Sequence, residues 1–152
     1  MHTIQESLIK GSNLMTDTKS PAERSLNMSR IRSSNTKPEE IVRKYLFGHG
    51  FRYRKNDKRY PGKPDIVLPK YKTVIFVNGC FWHVHGCSRS RLPLSNKEYW
   101  APKIKRNVER DAENIAKLQS LGWKVIVIWE CELKKTLLNN TLTKLCAEIR
   151  ER

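Results

Sequence analysis

Apolar residues recur at helical spacing in three segments of the chain, which are separated by stretches with the character of strands. The first helix follows Thr36-Lys37-Pro38-Glu39, which has the spacing of a capping box, and ends near Gly48. The second follows a similar Ser95-x-x-Glu98 pattern and ends at Gly122. The helical positions are, segment by segment, Ile41, Val42, Tyr45 and Leu46; Ile104, Val108, Asp111, Ile115 and Leu118; and Leu142, Leu145, Cys146 and Ile149.

Short apolar runs rich in β-branched residues predict four strands between these helices. Residues 51–54 alternate like an edge strand, and 65–68 follow a Pro-Gly-Lys-Pro turn. Residues 73–76 form an apolar run that continues to Gly79, and residues 123–129 form another, and each predicts a buried strand. The order of helix, three strands, helix, strand and helix predicts an α/β fold with a mixed sheet flanked by helices.

The length of the chain indicates one domain, and its charge indicates what kind of partner it binds. The 152 residues suit one domain, and 30 Lys and Arg against 15 Asp and Glu give a net charge of +15. Such an excess attracts polyanions and favours nucleic acid as the partner. Residues 1–35 are polar and lack periodicity, which predicts a flexible basic arm before a domain at 36–152. No apolar run suggests a signal peptide or a membrane span, so a soluble, cytoplasmic protein is expected.

Cysteine and histidine cluster in the segment 80–87, which holds two of each within eight residues. Zinc prefers tetrahedral nitrogen and sulfur ligation, and the spacing Cys-x4-His-x-Cys needs a fourth ligand from elsewhere. Cys131, at the end of the last strand, is the better candidate, whereas Cys146 lies on the apolar face of a helix. Buried cysteines beside surface histidines are the simpler alternative, but the clustering favours zinc.

An acidic residue at a sheet edge is a candidate Mg²⁺ ligand, and Asp65 opens a predicted strand. A Mg²⁺ ligand of this type occurs in nucleases, where the ion bridges the scissile phosphate. Such nucleases usually add a second acid and a lysine on the following strand, but residues 76–79 supply neither. The general base would then be another group, and His83 lies nearby with a suitable pKa range. Phe81, Trp82 and Trp100 are open to two interpretations, as core residues or as wedges between base pairs.

A series of short motifs with consistent gaps resembles the very short patch repair (Vsr) family of DNA mismatch endonucleases over about residues 25–133. Each motif is weak alone, and the ordered set is highly specific. The motifs are Asn27-Met28-Ser29-Arg30-Ile31-Arg32, Thr36-Lys37-Pro38-Glu39, Pro61-Gly62-Lys63-Pro64-Asp65, Gly79-Cys80-Phe81-Trp82-His83, Lys105-Arg106-Asn107-Val108-Glu109-Arg110-Asp111, Leu121-Gly122-Trp123 and Trp129-Glu130-Cys131.

The resemblance implies a restriction-endonuclease-like fold of the PD-(D/E)XK type, with a structural Zn²⁺ and a catalytic Mg²⁺. It implies an enzyme that nicks duplex DNA 5′ to the thymine of a T·G mismatch, the product of 5-methylcytosine deamination. A bacterial, nucleoid-associated monomer follows from the same resemblance, with mismatch-repair proteins as candidate partners and the basic arm crossing the minor groove.

The resemblance also assigns roles to single residues. Asp65 binds the Mg²⁺, the backbone carbonyl of Val77 is a further ligand, His83 is the base, and Glu39 accepts a hydrogen bond from water at the metal. The zinc ligands are Cys80, His85, Cys87 and Cys131, and the residues that intercalate beside the mismatch are Phe81, Trp82 and Trp100.

Asn78 is a departure from the family pattern, because relatives often carry His there and an amide is neither acid nor base. Asn78 can still hydrogen-bond water, so slower chemistry is expected, without loss of activity. Two alternatives remain: a zinc-stabilised DNA-binding module without catalysis, and a restriction-type nuclease that cuts both strands. Asp65 and His83 favour an enzyme, and the aromatic residues favour a single nick.

Overall fold

A computed structural model of the chain describes residues 20–30, 34–80, 86–88 and 97–151. Across these residues the chain forms four α-helices, four strands and two short 3₁₀ helices at Pro69–Tyr71 and Glu130–Leu133. The helices are α1 (Pro21–Arg30), α2 (Lys37–Gly48), α3 (Lys97–Ser120) and α4 (Leu138–Arg150), and the strands are β1 (Arg54–Lys55), β2 (Ile66–Leu68), β3 (Thr73–Asn78) and β4 (Lys124–Trp129). None of the helices in this part of the chain is long and apolar enough to cross a membrane.

The four strands form one mixed sheet in the order β1-β2-β3-β4. The pairs β1–β2 and β2–β3 are antiparallel, whereas β3 and β4 run parallel with Asn78 opposite Trp129. The parallel pair is joined through α3, as parallel strands require a long crossover. The predicted mixed sheet flanked by helices is confirmed, and so is the predicted order of elements from α2 onwards.

Helices cover both faces of this sheet. On one face α2 and α4 pack on the larger core cluster, and on the other α3 contributes Leu118 to a smaller cluster with Val67 and Val74. Cys146 is buried in the larger cluster, as its place on an apolar helical face predicts. Alternation along β2 and β3 places Asp65 and Asn78 on the same side of the sheet as Val67 and Val74, the side that faces α3.

Local details differ from the predictions at three places. The edge strand predicted at 51–54 is observed as β1 at Arg54–Lys55. A helix that was not predicted, α1, forms in the segment assigned to the arm, where Ser20 Oγ accepts the Glu23 N–H at 3.2 Å and Glu23 accepts the Ser20 N–H at 2.8 Å. Conversely, Thr36 is the N-cap of α2 but makes no side-chain capping bond, and Glu39 instead accepts the backbone N–H of Asn35 at 2.8 Å. The predicted cap at Ser95 lies outside the described residues.

Candidate active site and metal centre

A cleft of about 970 Å³ opens between the α3-facing side of the sheet, the start of α2 and the loop before β2. Asp65 and Asn78 lie at its sheet side, and Glu39 lies where α2 begins. Its charged lining residues are Glu39, Asp65, Asp111 and Glu130, together with Lys58, Lys63, Lys103 and Arg110. Carboxylates and cationic side chains that line one cleft suit a site that holds a divalent cation beside a phosphate.

Asp65 is fixed against the neighbouring strand rather than projecting loosely into solvent. Its Oδ2 accepts the backbone N–H of Val77 at 2.7 Å. A charge-assisted bond of this kind orients the carboxylate, because an aspartate at a strand end otherwise rotates freely. Asp65, Val77 and Asn78 all line the same cleft, so the structure brings these predicted residues together.

Glu39 is buried, with its carboxylate held by two donors. The Arg43 guanidinium lies 3.1 Å from Glu39 Oε2, and both side chains are about one-twentieth exposed. The backbone N–H of Asn35 donates to the same oxygen. Because burial disfavours an unpaired polar group, these two donors compensate the Glu39 carboxylate where it lines the cleft.

Three thiols converge beside the cleft, at the ends of the two parallel strands. The sulfur atoms of Cys80, Cys87 and Cys131 all lie within 4.8 Å of one another. Cys80 comes two residues after Asn78 and Cys131 two residues after Trp129, and Asn78 pairs with Trp129 across the sheet. The parallel register therefore places Cys80 and Cys131 next to each other at the same end of the sheet.

The thiol cluster has the donor chemistry and size of a zinc site. Sulfur ligands about 2.3 Å from a tetrahedral zinc ion are roughly 3.8 Å apart, within the separation found here. In the metal-free chain, burial raises the pKa of the Cys80 thiol to about 12, with the side chains of Cys87 and Cys131 acting in the same direction. A bound cation reverses this preference, since a metal-coordinated thiol is deprotonated.

Comparison with known proteins decides the family. Residues 16–89 match the family model of the DNA mismatch endonuclease Vsr. The chain is 42% identical over 132 residues to the DNA mismatch endonuclease Vsr of Escherichia coli (strain K12), covering 86% of this chain and 85% of that protein. The chain belongs to the Vsr family. It is accordingly an endodeoxyribonuclease.

Two further relatives of the chain are nicking enzymes by name. The chain is 54% identical over 138 residues to the Type II nicking enzyme V.NmeAIP of Neisseria meningitidis serogroup A, covering 90% of this chain and 99% of that protein. It is 50% identical over 119 residues to the Type II nicking enzyme V.XorIIP of Xanthomonas oryzae pv. oryzae, covering 78% and 88%. The family resemblance inferred from the sequence motifs is therefore confirmed.

Several residues predicted for the Vsr site lie outside the described part of the chain. These are the base His83, the zinc ligand His85 and the aromatic residues Phe81 and Trp82. Trp100 is described and is 3% exposed, with its ring edge-on to Tyr99 at a centroid distance of 4.9 Å. Intercalation by Trp100 stays a prediction, and it requires the indole to leave this packing when DNA binds.

Two carboxylates of the Vsr cleft were missed by sequence reasoning. Glu130 follows β4 directly, and Asp111 lies on the face of α3 that lines the cleft. Glu130 could have been found from the parallel pairing, because the carboxyl ends of neighbouring parallel strands meet at one sheet edge. Asp111 was assigned to a helical repeat with apolar neighbours, and no local signal separates it from a solvated side chain.

The loop before β2 forms a preorganised wall of the Vsr cleft. Arg59 donates two side-chain hydrogen bonds to Asp57, of 2.9 and 2.6 Å, and these lower the pKa of Asp57 to about 2. Gly62 has φ of +75° and approaches Asn114 of α3, which a Cβ would meet at 3.1 Å. These contacts fix the backbone of the loop, and Lys58 and Lys63 of this loop line the cleft.

Proposed function

We propose that this endonuclease nicks one strand of duplex DNA 5′ to the thymine of a T·G mismatch, in a Mg²⁺-dependent reaction. The observation that carries the proposal is the cleft in which Asp65, Glu39 and Asn78 face the cationic side chains of α3 and the β2 loop. Relatives named as nicking enzymes support a cut in one strand over paired cuts. The predicted restriction-endonuclease-like, PD-(D/E)XK-type fold belongs to the same proposal.

The oxygen donors of the cleft fit a hard divalent cation. Asp65 and the backbone carbonyl of Val77 would hold Mg²⁺, and Glu39 lines the same cleft. A bound Mg²⁺ would neutralise charge on the scissile phosphate and lower the pKa of an attacking water. Lys63 and Lys103 line the cleft at positions suited to backbone phosphates.

Proton transfer in this proposal falls to His83, four residues after Gly79 at the cleft. A neutral imidazole takes the proton of the attacking water, and its pKa range allows this near neutral pH. Asn78, the last residue of β3, orients water by hydrogen bonding through its amide. Cys80, Cys87 and Cys131 with His85 would hold Zn²⁺ in a structural role next to the reacting centre.

The test is a nicking assay with end-labelled duplexes that differ in one base pair. A duplex with a single T·G mismatch and Mg²⁺ should give one product, cut 5′ to the thymine, while the T·A duplex of the same sequence stays intact. Several flanking sequences should be included, because flanking preference depends on contacts to base edges. Cleavage of both strands at a matched site, or intact T·G duplex in every context, would contradict the proposal.

Restoring an imidazole at position 78 tests the role of Asn78. The variant Asn78→His should nick the T·G duplex about tenfold faster or more, since a positioned acid or base contributes at least that factor. Single-turnover rates at saturating enzyme separate this effect from DNA affinity, which should change little. A variant slower than the parent protein would show that the amide is itself the better group in this cleft.

A further inference from the structure

One buried guanidinium connects two acidic residues that both line the cleft, Glu39 and Asp65. The Arg43 side chain is only 5% exposed, and a buried arginine is unfavourable unless its donors find partners. Its Nη2 donates to Glu39 Oε2 at 3.1 Å and to the backbone carbonyl of Asp65 at 2.9 Å. The side chain thus links the first turn of α2 to the residue that precedes β2.

The second terminal nitrogen of Arg43 completes a closed hydrogen-bonded ring. Nη1 donates to Asn35 Oδ1 at 2.9 Å, and the backbone N–H of Asn35 donates to Glu39 Oε2 at 2.8 Å. Asn35 adopts φ of 54°, a left-handed conformation that asparagine tolerates better than most residues. The amide of Asn56 also donates to Asn35 Oδ1 at 3.2 Å, which ties the β2 loop to the ring.

The ring holds the Glu39 carboxylate through one of its two oxygens. The hydrogen bonds from Arg43 and from the Asn35 backbone both go to Oε2. Because Glu39 lines the cleft, Arg43 and Asn35 hold this carboxylate in place at the cleft surface. A guanidinium suits this task because its planar fork directs two nitrogens at fixed angles.

We propose that Arg43 is a positioning residue for the Mg²⁺ site, which fixes the Glu39 carboxylate relative to the backbone of Asp65. The inference rests on the proposed function, in which these two residues face the metal. Charge alone gives the opposite expectation: a nearby cation repels Mg²⁺, so removing Arg43 would tighten metal binding. Positioning instead predicts weaker binding, because loss of residues that orient the ligands lowers metal affinity about 10–100-fold.

The experiment compares Arg43→Met with Lys44→Met, an exposed neighbour on α2 whose loss removes the same charge. Mn²⁺ binding to each protein without DNA is followed by electron paramagnetic resonance. Arg43→Met should raise the dissociation constant about tenfold or more, and Lys44→Met should leave it unchanged or slightly lower. In the T·G nicking assay, the Mg²⁺ concentration for half-maximal rate should rise by a similar factor in Arg43→Met only.

A milder variant guards against misfolding, which circular dichroism would reveal. Asn35→Gly keeps the left-handed backbone and its N–H but removes the acceptor for Arg43 Nη1, so metal affinity should fall about threefold. Unchanged or tighter Mn²⁺ binding in both Arg43→Met and Asn35→Gly would overturn the inference, as would a slower rate with an unaltered Mg²⁺ requirement. If the parent protein leaves T·G duplex intact, the proposed function fails, and the Mn²⁺ titration still decides the role of Arg43.

Discussion

Replacing Asp65 with Asn is expected to slow nicking of the T·G duplex by about 10³-fold or more. A metal ion supplies several kcal/mol of transition-state stabilisation, and each 1.36 kcal/mol corresponds to a factor of ten in rate. Asn is the informative substitution because its amide oxygen can still accept the hydrogen bond from the Val77 N–H, which Asp65 Oδ2 accepts at 2.7 Å. The contact between the β2 start and β3 is then kept while the negative charge is lost.

The matched control is Glu113→Gln, which removes one negative charge from an exposed position of α3 outside the cleft. Both variants should bind the T·G duplex at least as tightly as the parent protein in electrophoretic mobility shifts without Mg²⁺, because each lowers repulsion of phosphate. Only Asp65→Asn should lose the nick. Activity of Asp65→Asn within about tenfold of the control would show that Asp65 is not an essential metal ligand. Glu130 and Asp111 would then be the remaining candidates for that role.

Periodicity was enough to predict most of the fold. Short continuous runs of apolar, β-branched residues gave β3 and β4 within a residue or two, and helical spacing gave α2 and α4. The helix that sequence reasoning did not predict is α1. The Ser20-Pro21-Ala22-Glu23 pattern is a capping box with proline at the first helical position, and it was a usable signal for α1.

The candidate site was predictable where residues are close in sequence or follow paired strands. Cys80 and Cys131 converge because each comes two residues after a partner in the β3–β4 register. Arg43 was not predictable, because an arginine four residues after a glutamate on a helix usually forms an exposed pair. The further partners of Arg43 are the backbone carbonyl of Asp65 and the side-chain oxygen of Asn35, whose positions depend on tertiary packing.

Loss of one thiol from the cluster should destabilise the whole domain. Cys131→Ala is expected to lower Tm by about 10 °C or more, because a structural zinc site contributes folding free energy and each kcal/mol moves Tm by roughly 2–4 °C at this size. Zinc content, measured by atomic absorption after gentle purification, should fall from one per chain toward zero. Chelation of the parent protein should produce the same change in Tm.

Cys146→Ala is the matched control, since it is the same substitution at a buried cysteine far from the cluster in sequence. It should cost about 1–2 kcal/mol through lost packing, and zinc content should stay at one per chain. Equal Tm values for the two variants, with one zinc per chain retained in Cys131→Ala, would show that Cys131 is not a zinc ligand. Parent protein purified without zinc would show that the thiols pack without a metal. If Cys131→Ala loses zinc and stability together, the ends of β3 and β4 depend on the metal, and Asn78 and Glu130 at those ends depend on it as well.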